Sequence, residues 1–444
     1  MEPYRIAIAG LGTVGAGLVR LLSVNHELLE ARCRRAIRIA GVSARNRTLD
    51  RGLDLGGIQW FDDPVQMAAE LDHDCFVELI GGDDGTPRDC WQSAIDHGRM
   101  IVTANKAMMA TNGLEFAKQA EAAGVTIGYE GAVAASIPIV KTMRESLIGN
   151  RMTRIRGILN GTSNFILSKM REQGADLATC IREAQRQGYA EANPTFDLDG
   201  TDAAHKLSIL SCLAFSTSIP FDSMAIEGID HLSPQDFQFA TRLGFEIKLL
   251  GIAEQNGARI SQRVGPVLLD QTQPLAAVHG VTNAIELSSD QAGTSILEGA
   301  GAGAGATASA VIADIAALAK TQTPGAVQCS SVWPGSVWPG SVWSVPASQI
   351  AEGQATDRAS LQSDFYLRVS VRDHSGVLAR IAAIFAAQNI SIATVIQEGR
   401  SQHNPVQLIM VTHETSEQSM GVALAQIKAL DSICGSISLL RIER

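Results

Sequence analysis

The chain reads as an α/β protein: a doubly wound parallel sheet first, an α+β domain in the middle and a ferredoxin-like domain at the end. Three observations predict this. A short apolar strand, Tyr4 to Ala9, runs into Gly10-Leu11-Gly12-Thr13-Val14-Gly15 and then a helical pattern at Val14, Leu18, Leu21 and Leu22. Strand and helix patterns then alternate, with strands at Ile37 to Ser43, Asp74 to Ile80, Met100 to Thr103 and Val125 to Tyr129, the signature of a parallel sheet. From Phe365 onward the order is βαββαβ. A chain of 444 residues is too long for one ordinary core. The boundaries expected are 1–130, 131–322, a linker at 323–362 and 363–444.

Composition narrows the class. Hydrophobic content of 45% and charged content of 18% fit a globular protein. A net charge of −10 gives no support for a nucleic-acid partner. The seven cysteines include no CxxC pair, which argues against a zinc site and a disulfide framework. With no signal-peptide pattern and no apolar run of membrane-spanning length, a cytoplasmic protein with reduced thiols is expected, without a membrane partner.

In the first domain the glycine motif stands in the setting a dinucleotide fold requires, strand before and helix after. Gly10 permits the tight turn, Gly12 lets backbone approach a pyrophosphate, and Gly15 lets the helix pack on the sheet. The helix start offers unpaired N–H groups to phosphates. A purely structural turn is the competing reading. The next strand ends in GVSARNRT with no acidic residue for ribose hydroxyls, and Ser43, Arg45 and Arg47 suit a 2′-phosphate, favouring NADP over NAD; otherwise these arginines decorate a surface loop. Thr103-Ala104-Asn105-Lys106 places an amide and an ammonium at the carboxyl edge of the sheet. Lys106 either holds an anionic substrate group or is a helix-start lysine in solvent.

The middle domain carries the densest chemistry. Gly188 to Leu207, GYAEANPTFDLDGTDAAHKL, places Glu191, Asp197, Asp199, Asp202 and Lys206 within sixteen residues. Asp202 and Lys206 share a helix face. Such a pair is ordinarily solvated, but this helix continues into the apolar LSILSCLAF, so charges at its mouth have to be paired or used. A lysine among carboxylates can pass a proton to or from a substrate oxygen. Two further features are a polar helix-opening loop, Asn160-Gly161-Thr162-Ser163-Asn164, and a glycine-rich turn, Gly299 to Gly305, which is either an anion-binding neighbourhood or a hinge.

GLGTVG, TANKA, NGTSN, GYAEANPTFDLDGTDAAHKL and GAGAGATASAVIAD occur in one order over residues 4 to 320, and together they resemble homoserine dehydrogenase. The resemblance implies reversible, NAD(P)-dependent reduction of L-aspartate 4-semialdehyde to L-homoserine, on the route to threonine, methionine and isoleucine. It implies Lys206 as the proton donor, Glu191 and Asp202 on the substrate's amino group and hydroxyl, Asp197 orienting them, and Lys106 facing substrate and nicotinamide. The cofactor would touch Gly10, Leu11, Gly12, Thr13, Val14, Gly15, Arg45, Thr103, Lys106 and Glu191, with Gly188 and Gly303 closing over it. Glu130, with carbonyls of Val133, Ala135 and Ile137, matches a monovalent cation site for Na or K. Two departures stand out: Ala135 and Ser136 replace common glycines, and GATASAV lacks a frequent proline.

Ser331 to Ser344 reads SVWPGSVWPGSVWS, with tryptophans at 333, 338 and 343. It is a duplicated linker or, alternatively, a packed or partner-binding aromatic strip. The final segment resembles an ACT domain, with DHSGVLA in place of DxPGVLA. That resemblance implies threonine as a feedback inhibitor, contacted by Asp373, His374, Ser375, Gly376, Val377 and Asn389; a dimerisation module without an effector is the alternative. A homodimer through the middle domain, or a homotetramer, is implied as well. One rival to the enzyme is a reductase for a different amino-acid semialdehyde. A second is a catalytically silent sensor of nucleotide and amino acid, against which the intact Lys206 and Asp202 argue.

Overall fold

The computed structural model describes residues 2–321, 341–398 and 404–444. The chain divides into two compact units: Met1–Ile155, His205–Phe221 and Ile285–Gly353 form the first, and Arg156–Ala204, Asp222–Ala284 and Gln354–Arg444 the second.

The first unit holds a six-stranded sheet of β1 (Tyr4–Ala9), β2 (Ile37–Ser43), β3 (Gln59–Phe61), β4 (Cys75–Glu78), β5 (Met100–Thr103) and β6 (Ile127–Gly128), in the order β3-β2-β1-β4-β5-β6. Neighbouring pairs are parallel, with Ile6 opposite both Ile39 and Cys75. The order reverses on either side of β1, which sets a crevice at the carboxyl ends of the strands. The strands are short and apolar because both faces are covered. Ile6, Ile8, Val42, Val77 and Val102 are buried with Leu18, Val19 and Leu22 of α1 (Thr13–Val24) and with Val311, Ile315 and Leu318 of the helix Ala304–Thr321. That last trio repeats at helical spacing. Each such side chain contributes about 1.5–3 kcal/mol by leaving water.

The third copy of the tryptophan repeat belongs to this unit. Val342 and Trp343 are buried, the indole lies 5.6 Å from the Tyr129 ring, and Ser344 Oγ donates to the Leu213 carbonyl at 2.6 Å. Trp343 is thus packed; Trp333 and Trp338 lie outside the described residues.

In the second unit, Phe245–Asn256 and Arg259–Asp270 form one long antiparallel hairpin, closed by Gly257 at φ +62° and Ala258. The C-terminal part has the expected βαββαβ order, with Gln362–Val371 pairing both Val406–Thr412 and Ser438–Glu443, and Ile392–Glu398 on the far side of Val406–Thr412. The helices Val377–Ala387 and Glu417–Lys428 cover one face through Val377, Ile381, Phe385, Met420, Ala423 and Ile427. Ser438–Glu443 also pairs in parallel with Arg259–Asp270, Val267 opposite Arg441, so one sheet runs through both parts of this unit.

Candidate functional site

In the first unit the glycine turn has the stereochemistry its sequence implies. Gly10 sits at φ +101°, where a Cβ would meet the Leu79 carbonyl oxygen at 2.5 Å. A Cβ on Gly15 would lie 2.0 Å from the Gly10 carbonyl oxygen. Gly12 faces open space and precedes α1 without a side-chain cap, so the amides of the first turn remain for a ligand. Arg51, which the sequence did not flag, donates from Nε to the Leu11 carbonyl at 3.0 Å and ties this turn to the segment after β2. Arg45 is exposed just beyond β2. Gly303, at φ +111°, precedes the helix Ala304–Thr321, which lies against α1 where a Cβ on Gly17 would meet the Ala304 carbonyl oxygen at 2.9 Å.

The carboxyl edge of the sheet is organised by Glu78, which sequence reasoning also missed. Its fully buried carboxylate accepts from the amides of Ile80 (2.7 Å) and Gly81 (3.1 Å) and from Thr103 Oγ1 (2.9 Å). Thr103 Oγ1 in turn accepts from the Asn105 amide at 2.9 Å. Asn105 caps the helix Lys106–Thr111, its Oδ1 accepting from the Met108 amide and its Nδ2 donating to the Gly82 carbonyl. Lys106 therefore starts a fixed helix and is half-buried, not in open solvent.

The Glu130 loop lies in the same unit. Glu130 is 2% exposed, and its carboxylate accepts from the amides of Val140 and Lys141, both at 2.9 Å. Its own amide donates to Asp314 Oδ2, and Lys141 Nζ pairs with Asp314 Oδ1, each at 2.9 Å. Burial, and then the neighbouring Asp314, pushes the Glu130 carboxyl up to about 7. Among the described residues no hydrogen-bond donor reaches the buried carbonyls of Val133 and Ala135, whereas that of Ile137 accepts from the Ile139 amide at 2.8 Å. A carboxyl that is costly to ionise, beside carbonyls left without donors, suits a monovalent cation.

The second unit holds the acidic segment together through Asn160. Asn160 Nδ2 donates to Asp197 Oδ1 at 2.7 Å and to Asp202 Oδ2 at 2.9 Å, while its Oδ1 accepts from the Ser163 amide and caps the helix Gly161–Gln173. Ser163 Oγ donates to the Asp197 carbonyl at 2.6 Å, and Thr162 Oγ1 to the Tyr189 carbonyl at 2.9 Å. Glu191 and Gly188 are exposed on this segment. Asp199 has a local task, accepting from the Thr201 amide at 2.8 Å as the helix Thr201–Phe215 begins. That helix passes from the second unit into the stretch His205–Phe221 of the first; Asp202, before the division, is 4% exposed, and Lys206, one turn further on, is 8% exposed. A solvated surface pair is thereby ruled out.

At the C-terminal loop, Gly376 at φ +88° opens the helix Val377–Ala387, and the His374 amide donates to the Arg372 carbonyl at 2.9 Å. Asn389, at φ +57°, ends that helix in the left-handed region asparagine tolerates, which is a structural reason for its presence there.

Comparison with known proteins decides the family. Residues 10–130 match the homoserine dehydrogenase NAD-binding domain, residues 138–316 the homoserine dehydrogenase family and residues 365–432 the ACT domain. The homoserine dehydrogenase of Neisseria gonorrhoeae is 40% identical over 446 residues, covering 100% of this chain and 99% of its own. The chain belongs to the homoserine dehydrogenase family. The Pseudomonas aeruginosa member is 38% identical over 450 residues, with both chains fully covered. The crystal structure of a homoserine dehydrogenase from Thiobacillus denitrificans superposes with a TM-score of 0.90 at 38% identity, over 100% of this chain and 99% of that one. A hyperthermophilic archaeal member, solved in complex with NADPH, reaches 0.59 at 26% identity over 71% of this chain and 97% of its own. The protein is thus an oxidoreductase acting on a CH–OH group, with a domain for a nicotinamide cofactor and a C-terminal ACT domain. Among the described residues no helix is long and apolar enough to cross a membrane.

Proposed function

We propose that the enzyme reduces L-aspartate 4-semialdehyde to L-homoserine with NADPH in preference to NADH, and that threonine restrains it through the ACT domain. The observation that carries the chemical part is the arrangement around Asn160: two carboxylates fixed by one amide, with a buried lysine one helical turn beyond Asp202. When bound, the nicotinamide supplies or accepts the hydride. As negative charge grows on the aldehyde oxygen, the Lys206 ammonium stabilises it and delivers the proton. Asp202 and Glu191 take the substrate's hydroxyl and α-ammonium, and Asp197, held by Asn160, keeps them oriented. Lys106 faces substrate and nicotinamide from its fixed helix start.

The uncapped start of α1, the open face at Gly12 and the turn at Gly303 support dinucleotide phosphates, and Arg45 supports a 2′-phosphate. Glu130 and the carbonyls of Val133, Ala135 and Ile137 would hold Na or K. The loop Asp373 to Val377, with Asn389, would receive threonine. We place the enzyme in the cytoplasm, as a homodimer or homotetramer.

The test is NADP-linked oxidation of L-homoserine by the purified enzyme, with and without L-threonine, for the wild type and Lys206→Ala. The expected result is threonine-sensitive turnover that Lys206→Ala abolishes while NADPH binding persists. Undiminished turnover in Lys206→Ala would remove the lysine from the chemistry. Undiminished turnover in threonine would leave the ACT domain a structural role.

A further inference from the structure

An open cleft of about 650 Å³ in the second unit belongs to none of the sites above. It lies where the helix Glu417–Lys428 faces the segment Ala225–Ile229 and the turn Arg358–Ser360. Its size is that of a small-molecule site. None of its lining residues belongs to the loop Asp373 to Val377. Glu417 donates its amide to the Leu361 carbonyl, at the start of the ten-residue strand Gln362–Val371, and that loop follows the strand's other end. The strand's two ends are about 30 Å apart at ~3.3 Å per residue, and the cleft residue nearest the loop along it, Leu439, pairs with Leu367, still about 13 Å of strand short of Val371.

The cleft's groups sort by chemistry. Met420, Leu424, Leu439 and Ile226 supply apolar surface. Arg441, 9% exposed, is occupied by Glu417, Nη2 to Oε2 at 3.0 Å, and by Glu227 Oε2 at 3.1 Å. Arg358 is exposed, with no acidic partner among the described residues. Glu227 keeps its Oε1 out of the Arg441 contact, and among the described residues its ion-pair neighbour is the His231 ring at 3.7 Å. A free guanidinium, a half-free carboxylate and an aliphatic wall match a carboxylate, an ammonium and a short apolar side chain.

Glu227 also stands next to the acidic segment. Its following residues lie against that segment: the Ile229 amide donates to the Leu198 carbonyl at 2.9 Å, and a Cβ on Gly228 would meet the Leu198 carbonyl oxygen at 2.6 Å and Asp199 Cα at 2.9 Å. On its other side the Glu227 amide donates to the Val264 carbonyl at 2.9 Å.

We propose that this cleft binds a free α-amino acid with a short aliphatic side chain, its carboxylate on Arg358 and its ammonium on Glu227, and that occupancy is felt through residues 227–229 by the segment carrying Asp197 and Asp202. This site is additional to the loop Asp373 to Val377. Only its kinetic consequence rests on the proposed homoserine reaction. The test is calorimetric titration of the full-length enzyme with L-isoleucine, L-methionine and L-threonine, for the wild type, Arg358→Ala, Glu227→Gln, and His374→Ala combined with Asn389→Gly. The expected result is binding of at least one probe, weakened about tenfold or more by each cleft variant and retained in the loop variant. At saturation the same probe shifts the wild-type KM for homoserine and leaves that of Arg358→Ala unmoved. Absence of binding by all three, or binding lost only in the loop variant, overturns the site. Binding that follows the cleft variants without a KM shift overturns the relay.

Discussion

Ala135 occupies the left-handed region at φ +45°, inside the loop whose carbonyls are proposed to face a cation. A Cβ there costs about 1–2 kcal/mol, and glycine would relieve it at an unfolded-state cost of about 0.5–1 kcal/mol. Ala135→Gly is therefore expected to raise the melting temperature by about 1–3 °C. Ala134→Gly, with no positive φ to relieve, should lower it; equal effects would mean the loop carries no strain. A second residue-scale anomaly is Lys248, 2% exposed, donating to the Val278 carbonyl with the His279 Nδ1 at 3.3 Å. Burial drives its ammonium down to about 8, only partly offset by Glu246. Between that value and the ordinary ~10.5, the unfolded chain holds a proton the folded chain has released, so stability rises with pH across the window. Below it the penalty is complete. Lys248→Met should stabilise the enzyme at pH 7 by about 1–2 kcal/mol net of the lost hydrogen bond. In urea titrations the wild type should close that gap between about pH 8 and 10; parallel curves would place the charged lysine comfortably in the fold.

At the scale of elements, the second and third glycines of the first turn separate folding from binding. A methyl on Gly15 collides with the backbone oxygen of Gly10, whereas one on Gly12 enters open space. Gly15→Ala is expected to distort the turn and lower both stability and cofactor affinity. Gly12→Ala should fold normally and, if the pyrophosphate approaches here as proposed, raise the KM for the nicotinamide cofactor about tenfold or more. A Gly12→Ala enzyme with unchanged KM would put the phosphates elsewhere. This motif was legible in sequence because its geometry is local: a strand, three glycines and a helix within a few turns. The βαββαβ order was legible for the same reason, through alternation and helical spacing. Glu78, Asp314 and Asn160 did not announce their roles, since each depends on a partner far along the chain: Thr103 for Glu78, Glu130 for Asp314, Asp197 and Asp202 for Asn160. The only local signals were an acid ending an apolar strand and an asparagine before a helix. The exposure of Glu191 and the helix-capping use of Asp199 were likewise beyond any pattern of charges.

At the scale of the whole molecule, the ACT part of the second unit is joined to its neighbour by continuous sheet and by buried charge. Beside the pairing of Val267 with Arg441, Arg368 holds Asp236 with Nε at 2.7 Å and Nη2 at 3.0 Å, and Ser233 Oγ accepts from the same guanidinium at 2.9 Å. Asp236 is fully buried and Arg368 only 6% exposed. Burial alone would raise the Asp236 carboxyl, yet Arg368 and Ser233 outweigh it and hold it below its ordinary value. A depressed carboxyl adds stability that is complete above about pH 4 and disappears as pH falls through the folded-state value. Removing only the cation strands a buried carboxylate, so Arg368→Met should cost about 3–5 kcal/mol, whereas Arg368→Met with Asp236→Leu should recover most of that loss. Recovery in the double variant would make the pair a device of registry more than of net stability, where the C-terminal strands join Arg259–Asp270. Chemical unfolding of the two single variants and the double variant measures the coupling directly. The acid-side loss of stability should be shallower in the double variant than in the wild type. Additive single-variant losses, with no recovery in the double, would make the interface one of packing, with Arg368 and Asp236 incidental to it.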